Sequence, residues 1–120
     1  MKNVSPQEKQ IMIRTKALER FQKDYISYEK ELKQEKTKLE VMKAADKDPG
    51  VIKRQEDIIT ETQTVLHDIK SKLIKEKENV IKMLDDVEDP ALRESEQFNK
   101  SQEVIATVEK FIDEQILGKE

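Results

Sequence analysis

The chain has no cysteine among its 120 residues, which removes disulfides, thiolate chemistry and zinc–sulfur sites together. It has no tryptophan, and aromatics make up only 4% of it, so a globular core around a deep ligand pocket would be short of lining. His67 is the only histidine. A metal site or catalytic relay would have to be built on one ring, and His67 is read as an ordinary helix residue. Neither of the 2 glycines lies in a phosphate-cradling pattern, and no serine has a nucleophile motif around it, so no enzyme is expected and no cofactor is implied. Asp46, Asp48 and Gly50 faintly resemble the start of a calcium loop. The glycine comes one place early and no glutamate closes the loop, so helix capping is the better reading. No stretch approaches the roughly 18 apolar residues of a membrane span, and no apolar signal core precedes the first charges. A soluble, cytoplasmic, single-domain chain over 1–120 is expected.

What the chain does have is charge, at 41% of its residues, and enough hydrophobic residues, 35%, to fold if they fall at helical spacing. Residues 1–45 hold 11 Lys+Arg against 7 Asp+Glu, and residues 46–120 hold 12 against 19. A basic first segment can lie along acidic later ones, which favours an intramolecular bundle and leaves no net cationic field for nucleic acid.

Three helices are predicted from their caps, at about 6–45, 49–87 and 90–117. Ser5-Pro6-Gln7-Glu8 has the form of a capping box with proline at the first helical position. Behind it, Ile11, Leu18, Tyr25, Leu32 and Leu39 recur every seven residues, with Phe21, Tyr28 and Met42 three residues after members of that series. Asp48-Pro49 restarts the chain as a second cap, and so short a connection requires an antiparallel neighbour. The second helix carries the apolar pairs Val51/Ile52, Ile58/Ile59, Val65/Leu66, Leu73/Ile74 and Val80/Ile81. Their spacing is about 3.6 per turn and predicts a nearly straight helix touching two neighbours. Asp89-Pro90 opens a third helix with Phe98, Val104, Ile105, Val108, Phe111, Ile112 and Ile116 as its stripe and Gly118 as terminator. The fold class expected is all-α: three long antiparallel helices in an elongated bundle.

Met12, Ile13, Ile26 and Val41 fall off the seam of the first helix, on the face expected to look outward. Lone exposed apolar residues are common, and contact with a partner is the sharper alternative.

The order of certain words adds to this reading. Ile11-Met12-Ile13-Arg14-Thr15, then Tyr28-Glu29-Lys30-Glu31-Leu32-Lys33-Gln34, then Ile52-Lys53-Arg54-Gln55-Glu56 with Glu61-Thr62, resemble the tubulin-binding cofactor A family. The resemblance spans about residues 9–112 and includes Phe98 and the Val104-Ile105 to Val108 segment. It implies a small three-helix chaperone, associated with the cytoskeleton, that captures quasi-native β-tubulin and helps deliver it for heterodimer assembly alongside other tubulin-folding cofactors. It implies no nucleotide, metal or catalytic residue, and no nucleic-acid or membrane partner. The charges of these words, Glu29, Lys30, Lys33, Lys53, Arg54 and Glu56, are the candidate contacts with β-tubulin, expected to face outward. A monomer is expected, with a dimer as the alternative. Relatives often carry a proline where this chain has His67, so a kink there is in doubt. The competing class is a structural or self-associating coiled-coil bundle of spectrin type. The absence of tryptophan and the presence of caps at both ends count against it.

Overall fold

The computed structural model describes residues 4–119, and no strand is found among them. Helix α1 runs Pro6–Ala44 and α2 runs Pro49–Asp85. Both start where the caps predict. The Glu8 N–H donates to Ser5 Oγ at 3.1 Å, and the Gly50 N–H to Asp48 Oδ1 at 2.7 Å. Helix α1 ends in a Schellman motif, with the Lys47 N–H donating to the Met42 carbonyl and the Asp46 N–H to the Lys43 carbonyl, both at 3.1 Å. Asp46 takes the left-handed position, with φ 55°. Helix α2 is continuous through His67.

The expected third helix is not one element. Pro90–Arg93 forms a single turn, α3, capped by Asp89, whose Oδ1 accepts from the Ala91 N–H at 3.0 Å. The chain then breaks at Glu94 and restarts as α4, Glu96–Phe111. The cause is Ser95, which serves both sides of the break. Its hydroxyl donates to the Leu92 carbonyl at 2.7 Å, and its oxygen accepts from the Phe98 N–H at 3.2 Å as the N-cap of α4. The long helices therefore number two, followed by one turn and one helix of 16 residues. Helix α4 widens into a π turn over Ile112–Ile116 and closes as a 3₁₀ turn at Leu117–Lys119. Gly118 is not a left-handed stop. It is small because a Cβ there would lie 2.9 Å from the Asp113 carbonyl oxygen.

The chain divides into two compact units, Met1–Gln22 with Ser71–Glu120, and Lys23–Lys70. The first joins parts of α1 and α2 to α3 and α4. Glu8 lies by Ser95 and Gln97, and Gln22 by Val104 and Thr107, so α4 runs in the direction of α1. Its core is apolar and closed: Ile11, Leu18, Leu73, Val80 and Val108 are at most 1% exposed, and Leu84, Val87, Leu92, Phe98, Ile112 and Ile116 are buried around them. Inside it lies a chain of hydrogen bonds. Thr15 Oγ1 donates to the Ile11 carbonyl at 2.7 Å, so the Ser101 hydroxyl must be the donor in its 2.7 Å bond to Thr15, and Gln97 Nε2 donates to Ser101 Oγ at 3.0 Å. On the α1–α2 seam, Arg14 Nη1 donates to both oxygens of the nearly buried Glu76, at 3.0 and 3.3 Å, and Asn79 Nδ2 adds a bond of 3.3 Å.

The second unit is a two-helix hairpin. Gln55 Nε2 donates to the Glu35 carbonyl at 3.0 Å, fixing the antiparallel alignment across the turn. Its seam is thinner. Tyr25, Gln55, Ile59, Thr62 and Ile69 are buried, while Tyr28, Leu32, Leu39, Met42, Ile52, Ile58 and Leu66 are only half-buried. With one neighbouring helix, each seam residue is covered from one side.

The seam positions of α2 recur every seven residues: the buried Gln55, Thr62, Ile69 and Glu76 in one series, and in the other Ile59, Leu73 and Val80, which are buried, with Leu66, which is half-buried. This is a coiled-coil seam and replaces the 3.6-residue stripe of apolar pairs. The first members of two of those pairs, Val51 and Val65, are exposed at 46% and 38%.

Candidate partner-binding surface

Ile26, Glu29, Lys30 and Lys33 stand at i, i+3, i+4 and i+7, one face of α1 beside its seam in the second unit. Ile26 is 49% exposed, and Lys30 and Lys33 are exposed. Glu29 is only half-buried and engaged within the protein, so it does not face outward as a free charge. It lies four residues beyond the buried Tyr25, close enough to the seam to be partly covered. Val41, further along α1, is 62% exposed.

On α2, Lys53, Arg54 and Glu56 are all exposed. Lys53 Nζ pairs with Asp57 Oδ1 at 3.0 Å, an acid–base pair four residues apart in full contact with water. The hydrogen bond to Asp57, and then its charge, raise the Lys53 ammonium above its ordinary value. What the pair contributes is thus present below a lysine's ordinary pKa and lost only as pH rises through the raised one. It is constant through the neutral range.

Residues outside the predicted set are also exposed in this unit. Val51, Ile58 and Val65 form a seven-residue series along α2 in which Ile58 is half-buried and the two valines are exposed. The apolar pairs of the sequence predict these positions in the core, and the structure leaves the two valines exposed. In the first unit, Ile13 is 47% exposed, but Met12 is half-buried, because it lies beside Thr15, on the flank of α1 that faces α4.

Among the described residues no group of three or more His, Cys, Asp or Glu could hold a metal ion, and no helix is long and apolar enough to cross a membrane. The geometry is that of a helical bundle on heptad seams whose outer faces mix charges with single apolar side chains. The particular lineage follows from comparison: the chain matches the tubulin binding cofactor A family over residues 6–105 and belongs to it. It is 32% identical over 103 residues to tubulin-specific chaperone A of Bos taurus, a match covering 86% of this chain and 94% of that one. The crystal structure of tubulin folding cofactor A from Arabidopsis thaliana superposes with a TM-score of 0.75 at 26% identity, covering 87% of this chain and 96% of that one. Human tubulin chaperone cofactor A superposes at 0.72 with 30% identity, covering 87% and 99%.

Proposed function

We propose that this chain is a cytoplasmic tubulin-folding cofactor that binds quasi-native β-tubulin, without nucleotide, metal or a catalytic step, and holds it for assembly with α-tubulin alongside other tubulin-folding cofactors. The observation that carries this reading is the family match over residues 6–105, which includes both long helices and most of α4. The surface of the second unit supports it physically. Lys30, Lys33, Arg54 and Glu56 contribute little to folding, because exposed charges are worth little there, and they remain available to a partner, as do the exposed Ile26, Val41, Val51 and Val65 of the same unit.

The test is co-precipitation of purified β-tubulin and α-tubulin with the chain, at low and high salt. The variant to compare reverses Lys30, Lys33, Arg54 and Glu56. Preferential recovery of β-tubulin, weakened by the variant at unchanged helical signal and by salt, is the expected result. Equal recovery of both tubulins, or of neither, refutes the function. Undiminished recovery with the variant refutes only the residues. A second reading, self-association through the Val51–Ile58–Val65 series, is answered by the mass in solution. A concentration-dependent dimer would favour it.

A further inference from the structure

A shallow groove runs along the α1–α2 seam of the first unit. It is lined by Arg14 and Phe21 from α1 and by Lys72, Lys75, Glu76 and Asn79 from α2. No residue of α4 lines it, because α4 meets α1 on its other flank, at Thr15 and Gln22. Three of the lining side chains are cations and one is a carboxylate, in a chain whose formal net charge is −3. That carboxylate is already occupied: Glu76 accepts from Arg14 and from Asn79 and is nearly buried. Lys72 and Lys75 are exposed, and no acidic side chain pairs with either among the described residues. Arg14 spends one nitrogen on Glu76 and keeps a side chain 48% exposed. Arg20 lies over the ring of the half-buried Phe21 at 5.5 Å from its centroid.

A half-buried aromatic ring that shares a groove with two unpaired lysines selects for a partner that is both anionic and apolar. The volume, about 220 Å³, admits a side chain or two and is below the roughly 300 Å³ at which pockets for small organic ligands begin. A phosphate backbone would reward a continuous track of cations, whereas here the cations share the lining with an aromatic ring and a carboxylate. We propose that this groove docks an acidic segment of a partner protein, its carboxylates on Lys72 and Lys75 and one apolar side chain against Phe21. The inference stands whether or not that partner is a tubulin.

The experiment is fluorescence anisotropy of the full chain with a labelled synthetic peptide of glutamates interrupted by leucines. The variant is Lys72→Glu with Lys75→Glu; the control, Lys36→Glu with Lys38→Glu, makes the same change of charge at exposed sites in the other unit. All four lysines are exposed, so circular dichroism should show the same helix content throughout. Saturable binding is expected, weakened about tenfold or more by the groove variant, about twofold or less by the control, and progressively by salt. The proposal is overturned if the wild-type chain does not bind the peptide, or if the two variants weaken it equally. It is also overturned if a single-stranded RNA of equal charge binds more tightly than the peptide, which would make phosphate the ligand.

Discussion

Replacing Leu73 by alanine removes most of a side chain that is 0% exposed at the centre of the three-helix unit. Leu66, one heptad earlier in the same seam series, is half-buried in the two-helix unit, so the same substitution there probes the same chemistry in a different enclosure. A fully enclosed leucine loses transfer free energy and leaves a cavity that its neighbours close only in part, together about 3 to 5 kcal/mol. A leucine open on one side leaves no sealed cavity and loses part of the transfer term, about 1 to 1.5 kcal/mol. With a urea slope of about 2 kcal/mol per molar for a chain of this size, Leu73→Ala should lower the midpoint by about 1.5 M or more and Leu66→Ala by about 0.5 to 0.8 M. The assay is urea unfolding followed by circular dichroism at 222 nm, with the wild-type slope as the check on comparability. Equal shifts for the two variants would refute the argument that enclosure by α4 separates the units energetically. A larger shift for Leu66→Ala would reverse it.

Asp46→Gly should stabilise the chain by about 0.5 to 1 kcal/mol, because Asp46 holds a left-handed φ of 55° that glycine adopts without a Cβ penalty; a lower melting temperature would contradict this. Thr15→Val should cost about 1 to 3 kcal/mol by taking the acceptor from the buried Ser101 hydroxyl. The double variant with Ser101→Ala should then be less destabilised than the sum of the single changes, and strict additivity in a thermal-melt cycle would break the proposed chain of donors. In native-state hydrogen exchange, backbone amides of residues 23–70 should exchange faster than those of α2 beyond Ser71 and of α4, since the hairpin has few fully buried side chains; uniform protection would contradict it.

The starts of the helices were legible because capping is local chemistry: Ser5-Pro6, Asp48-Pro49 and Asp89-Pro90 each place a side-chain oxygen and a proline where the chain turns helical. Ser95 offers the same oxygen without the proline, in the middle of a segment with a continuous apolar stripe, and so the sequence does not mark the break between α3 and α4. The seam was only half legible. Its apolar members follow hydropathy, but Thr15, Gln55, Thr62, Glu76 and Ser101 are buried polar residues whose burial depends on partners distant in sequence. Hydropathy marks only the apolar members of such a seam, which is why the apolar pairs of α2 suggest a 3.6-residue stripe where the structure has a seven-residue series. For the candidate surface, exposure was legible at Ile13, Ile26, Val41 and most of the charges. It failed at Met12 and Glu29, which flank the seam, and at Val51 and Val65, which lie outside the two seam series of α2.

The Arg14–Glu76 contact also bears on how such a sequence can change over evolutionary time. Apolar seam residues can be exchanged one at a time, because a leucine replaced by isoleucine or methionine still meets an apolar neighbour at small cost. The ion pair has no such single step. Loss of Arg14 strands a nearly buried carboxylate, and loss of Glu76 removes the anchor of a half-exposed guanidinium on the α1–α2 seam. Even lysine at position 14 would replace a planar donor by a point charge. Descendants of this chain should therefore hold positions 14 and 76 together or change them together, so that two sites 62 residues apart in sequence behave as one heritable character.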